Sequence, residues 1–184
     1  MRTFVLFVLL FTIKFQVAFA ENFVVINNAD SGVGSLRAAI ILAAGNGINL
    51  KDSILFNMAD VTETGRTILV LTQLPNLSSN LVIDGSSQPG PNFGVSGAKI
   101  KIKHSGNITF TKCFILMQVE KIEIYGIYFN DFKYWDYNNY QLQCAIFITG
   151  GAKNIQIGAL GKGNVFCENV FAIEILLKLK NIML

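Results

Sequence analysis

Apolar and β-branched residues occur in short runs, each closed by Asn, Asp, Gly or Pro, which is the pattern of brief strands separated by turns. Phe23-Val24-Val25-Ile26-Asn27-Asn28, Asp52-Ser53-Ile54-Leu55-Phe56-Asn57 and Thr67-Ile68-Leu69-Val70-Leu71 are the first three strands it predicts. Gln73-Leu74-Pro75-Asn76-Leu77 ends the third, because proline has no amide to give to a ladder. Asn80-Leu81-Val82-Ile83-Asp84-Gly85 follows, then the alternating run Lys99-Ile100-Lys101-Ile102-Lys103, whose period of two turns lysines outward and isoleucines inward. Phe114-Ile115-Leu116-Met117 and Ala145-Ile146-Phe147-Ile148 read as further strands. One stretch departs from this pattern. Gly32 and Gly34 make a turn, Ser35 is placed to cap, and Leu36 to Ala44 are mostly strong helix formers that stop at Gly45-Asn46-Gly47. A helix so short needs a surface to lie on, and it is expected to cover the first strand as a lid.

From residue 80 the chain echoes itself. Asn80-Leu81-Val82-Ile83-Asp84-Gly85 is answered by Lys121-Ile122-Glu123-Ile124-Tyr125-Gly126, by Asn154-Ile155-Gln156-Ile157-Gly158 and by Asn181-Ile182-Met183-Leu184. The intervals are 41, 33 and 27 residues, whereas helical repeats keep a fixed period. The expected fold is therefore all-β: a right-handed parallel β-helix, or solenoid, with a short N-terminal capping helix, loops of varying length and about five coils beyond the lid. A β-sandwich is the alternative, but its tight hairpins would leave turn pairs flanked by alternation. Only Gly45-Asn46-Gly47 approaches that.

Residues 1–20 read as a signal peptide: Arg2, the apolar stretch Phe4 to Ile13, and the small-x-small pattern Ala18-Phe19-Ala20. The apolar run is about half of the ~20 residues that a membrane span needs, so export rather than anchoring is expected, with a secreted or cell-surface destination. Residues 21–184 would then hold the cap and first coils, truncated at the C-terminus, with the rest of a longer chain to follow. Two of the 15 Lys and Arg fall in the leader, leaving 13 against 12 acidic residues, a balance that argues for neither nucleic acid nor an acidic membrane surface. Charged residues are 15% of the chain and hydrophobic ones 52%, so most side chains should face a continuous interior. Cys113, Cys144 and Cys167 are too few for a disulfide scaffold, and one bridge or three buried thiols both fit. No metal-ligand spacing is present, and no cofactor is expected.

Four blocks in order, taken together, resemble a known family. They are Asp30-Ser31-Gly32 with Gly34-Ser35-Leu36-Arg37 and Ala39-Ile40; Asp52-x-Ile54-x-Phe56-Asn57; Leu74-Pro75; and Ile83-Asp84-Gly85-x-x-Gln88-Pro89-Gly90. The resemblance is to secreted bacterial surface proteins with a right-handed parallel β-helix, similar in fold to the pectate-lyase superfamily, and it covers roughly residues 22 to 170. It implies a structural or adhesive role at the cell surface. The family's usual C-terminal adhesion or sorting modules are not in this sequence, and its blocks carry no agreed enzymatic residues, so no catalytic residue is assigned.

Asp84 precedes a glycine and is expected to bond nearby amides, Arg37 to pack or pair on the helix, and His104 to be a solvated turn residue. Asn76-Leu77-Ser78 and Asn107-Ile108-Thr109 fit the glycosylation pattern, relevant only in a eukaryotic host. The unusual segment is Phe129 to Tyr140, with the only tryptophan and three of the five tyrosines. Tyr134, Trp135 and Tyr137 beside Asp131 and Asp136 are the candidate glycan-binding residues, since rings cover the apolar faces of sugars while carboxylates take their hydroxyls. The same rings could instead shield the flank of the fold. An extracellular polysaccharide or surface glycan is the partner these residues suggest. A carbohydrate-active enzyme, a polysaccharide lyase or a glycoside hydrolase, or a polysaccharide-binding module is the alternative; a lyase would need acidic residues for calcium and a basic side chain to take a proton, and a hydrolase two carboxylates across one groove, with Asp131 and Asp136 the nearest pair.

Overall fold

The computed structural model describes residues 19–106, 112–133, 135–136 and 141–176, and at Trp135, Asp136, Gln141 and Leu142 the backbone alone. Residues 1–18 of the expected signal peptide, the Asn107-Ile108-Thr109 pattern and the fourth repeat copy lie outside the described residues.

In chain order the elements are β1 (Asn22–Val25), α1 (Leu36–Asn46), β2 (Asp52–Phe56), β3 (Thr67–Val70), β4 (Leu81–Asp84), β5 (Ile100–His104), β6 (Lys112–Met117) and β7 (Glu120–Tyr125). They continue with β8 (Ile127–Asn130), β9 (Trp135–Asp136), β10 (Gln141–Leu142), β11 (Cys144–Thr149), β12 (Lys153–Ile157), β13 (Val165–Cys167) and β14 (Phe171–Ile175). Three sheets have the orders β1-β2-β4-β7-β12, β3-β5-β8-β13 and β6-β11-β14, and every pairing within them is parallel. β9 and β10 form a separate antiparallel pair. Wholly parallel sheets need crossovers rather than hairpins, which removes the sandwich.

The repeat seen in the sequence is a pairing in space. Leu81 and Ile155 both lie opposite Ile122, and Ile83 and Ile157 both lie opposite Ile124. The polar residue that opens each copy has a backbone reason: Asn80, Lys121 and Asn154 take φ of 57°, 58° and 56°, where an asparagine is comfortable and a lysine is not. The glycine that closes the first two copies has a packing reason. A Cβ on Gly85 would fall 2.4 Å from the carbonyl oxygen of Gly126, and one on Gly126 would fall 2.2 Å from the amide nitrogen of Ser86.

The expected all-β right-handed parallel β-helix is corrected by this arrangement, which is α/β-like: one helix and several parallel sheets, with no closed solenoid among the described residues. Two features account for the difference. Helix α1 buries Leu36, Ala39, Ile40 and Ala43 in the same apolar cluster as Val25, Ile54 and Phe56, so it is part of the core. The sheets also differ in size, with five, four and three strands, and the smallest begins only at β6. A polar-apolar-x-apolar repeat fixes which strands stack; it does not fix closure.

Local chemistry sets the frame as the residues suggest. Ser35 caps α1 by accepting from the Ala38 amide at 3.2 Å. Arg37 ties the turn to the loop after β3, donating to the carbonyls of Asp30, Thr72 and Gln73 and pairing with the Asp30 carboxylate at 2.8 Å. Asp84 accepts from the Ser86 amide at 3.0 Å and also meets Lys162 at 2.6 Å. Buried Gln88 holds the chain after β2, accepting from the Met58 amide at 2.7 Å and donating to its carbonyl at 3.0 Å. Among the described residues no helix is long and apolar enough to cross a membrane.

Candidate functional site

The sheet β3-β5-β8-β13 turns one face to the core and one outward. Ile68, Ile102, Phe129 and Phe166 line up across its inner face, and Phe129 packs on Phe114 and stacks on Phe166. Period-two alternation sends the intervening residues outward in two rows, Thr67, Lys101, Tyr128 and Val165, then Leu69, Lys103, Asn130 and Cys167. At the C-terminal ends of β5 and β8 this outer face opens into a cleft of about 390 Å³ lined by Lys103, His104, Ser105, Gly106, Asp131, Lys133 and Gln143.

Asp131, a residue singled out from the sequence, sits at its centre. It follows β8 with φ 66°, and Glu168 follows β13 with φ 55°. The shared left-handed turn brings both carboxylates to Lys133, whose ammonium is 2.7 Å from Asp131 Oδ1 and 3.1 Å from Glu168 Oε2. Lys103 reaches Asp131 Oδ2 at 3.1 Å. The contact at Oδ1 is an ion pair outside hydrogen-bonding geometry, so charge attraction rather than a directed bond holds it. The Lys133 ammonium, with help from Lys103, keeps the Asp131 carboxyl ionised down to about 2.

His104 closes the floor and corrects the expectation of a solvated turn residue, because it is buried. Its ring meets Phe132 edge-on at 5.3 Å. Nδ1 accepts from the Gly106 amide at 2.9 Å, and Nε2 lies 3.1 Å from the side-chain nitrogen of buried Gln143. The cleft therefore offers two ammonium groups, a carboxylate and an amide, and Glu168, paired with Lys133 from outside the lining, balances the second positive charge.

Of the other candidate residues, Tyr134 and Tyr137 lie outside the described residues, as do the side chains of Trp135 and Asp136, so the Asp131 and Asp136 carboxyls are not compared. The backbone does place their segment: it leaves the cleft rim at Lys133 and returns at Gln143, with Trp135 opposite Leu142 and Asp136 opposite Gln141. Lys103, Lys133 and Gln143 were missed from the sequence. The alternation of residues 99–103 put Lys103 on an outward face, but nothing local showed that Asp131 would lie beside it. Cys113, Cys144 and Cys167 are all free; Cys113 and Cys144 are buried, and burial pushes the Cys144 thiol up to about 12. Among the described residues no cluster of three or more His, Cys, Asp or Glu could hold a metal ion.

No family model matches the chain, and no curated protein or solved structure matches it either.

Proposed function

We propose that this is a secreted or cell-surface protein with an adhesive role that holds glycan without cutting it, using the cleft around Asp131. The observation that carries the reading is the double ion pair of Asp131 with Lys103 and Lys133. A glycosidase's general acid must keep a proton near neutral pH, and a carboxyl that stays ionised to about 2 has none to give. The same group, fixed between two cations, is a pre-positioned acceptor for hydroxyl donors, while the lysines and Gln143 supply donors around it. A glycan's dense, neutral hydroxyls suit a cleft whose own charges cancel. The export pattern of residues 1–20 supports an extracellular setting.

The test is retention on immobilised neutral polysaccharides. The protein should be retarded, and Asp131→Asn, which keeps a residue tolerant of the left-handed backbone, should weaken retention at least fivefold while remaining folded by circular dichroism. Unchanged retention of the folded variant would remove the cleft from the account.

A further inference from the structure

A second opening, of about 530 Å³, lies on the same outer face at the N-terminal ends of the strands, lined by Glu63, Phe93, Gly94, Val95, Ser96, Lys101, Tyr128 and Val165. Its rings are held from several sides. Phe93 packs edge-on against Tyr128 at 6.0 Å, and the Lys101 ammonium lies 4.6 Å from the Tyr128 ring centre and 5.2 Å from that of Phe93. Lys101 is in turn paired with Glu63. Behind Phe93, the buried guanidinium of Arg66 sits 4.3 Å from the ring and donates to the carbonyls of Pro91 at 2.7 Å and Lys99 at 2.9 Å, the two ends of the loop that presents it. The Phe93 amide closes that loop on the Ala98 carbonyl at 2.6 Å, and Ser96 takes the Gly163 amide at 2.6 Å.

We infer that Phe93 and Tyr128 form a stacking platform for a pyranose ring of a neutral oligosaccharide, and that this platform and the Asp131 cleft are two ends of one binding face. Both rings are half-buried, so each keeps an open surface, and the Glu63 carboxylate beside them, paired with Lys101 through Oε1, is largely exposed to solvent. Lys101 lies against both rings and Arg66 against Phe93, cation–π contacts that hold the rings in place. Tyr128 opens the row on β8 and Asp131 stands just past its end, three residues apart along one extended strand, or ~10 Å. A chain laid along β8 would therefore stack at one end and hydrogen-bond at the other. The inference rests on the glycan reading and adds to it a second, aromatic contact and the ligand's length.

Calorimetric titration with β-1,4-linked hexasaccharides and disaccharides of glucose, mannose and N-acetylglucosamine, and with a uronate hexasaccharide, tests it. At least one neutral hexasaccharide should bind ten times or more tighter than its own disaccharide and than the uronate. Phe93→Ala and Tyr128→Ala should each abolish that length advantage, and Tyr128→Phe, which keeps the ring, should preserve it. Equal affinity of hexasaccharide and disaccharide, or a length advantage surviving both alanine variants, would overturn the platform. If Asp131→Asn alone leaves hexasaccharide binding unchanged, the cleft reading fails and the platform stands; if no probe binds, both fail.

Discussion

At the scale of single residues, positions that look merely polar in the sequence are set by backbone or charge. Asp131 combines the two, since its left-handed φ turns the carboxylate away from the strand and the lysines hold it charged. Because its folded pKa lies below the unfolded value, the pair stabilises the protein above about pH 4, and that contribution is lost as pH falls through about 2. Solvent reaches both lysines, so the effect is screened to ~1 kcal/mol or less. Stability measured in denaturant from pH 5 to pH 2 should fall less for Asp131→Asn than for the native protein by about that amount; parallel curves would show that the ion pairs contribute nothing. His104 shows the limit of reading residues one at a time. Beside Ser105 and Gly106 it reads as a turn histidine, and only the pairing of β5 with β8 and the approach of Phe132 and Gln143 bury it.

At the scale of elements, much of the architecture was legible. The alternation of residues 99–103 placed Ile100 and Ile102 in the core and the lysines outward, and the helix from Leu36 with its Ser35 cap is where the turn chemistry puts it, extending to Asn46 rather than stopping at Ala44. The echoed copies pair in register because the same spacing of apolar positions must meet the same core face. β8, β13 and β14 were not separated from their neighbours, since short apolar runs broken by single glycines or polar residues carry no period of their own. The Gly85 and Gly126 pair gives an element-level prediction. Gly126→Ala should cost ~3 kcal/mol or more, because its Cβ would meet backbone at 2.2 Å and its φ is 65°, whereas Gly94→Ala, at φ 75° with open space around it, should cost only ~1 to 2 kcal/mol. Equal thermal shifts for the two variants would mean that the strands do not approach there as closely as described.

At the scale of the whole molecule, the sequence pattern overreached. Repeats imply stacked strands, and stacked strands suggested a closed all-β coil, but the helix shares the core and the third sheet begins late, so an α/β-like arrangement results. The candidate site was half visible: Asp131 was singled out for its aromatic neighbours, while the lysines that define its chemistry come from a strand and a loop brought together only by folding. The open face of β3-β5-β8-β13, bounded by aromatic rings at one end and an ion-paired carboxylate at the other, is the surface on which the account of function stands. On the function proposed, this face holds a neutral glycan and leaves it whole. The most direct test incubates the purified protein with the polysaccharide that retains it best, measuring bound protein and released sugar ends in the same sample. Stable binding with no rise in reducing or unsaturated ends over a day is the expected result; steady release of either, lost in Asp131→Asn, would contradict it.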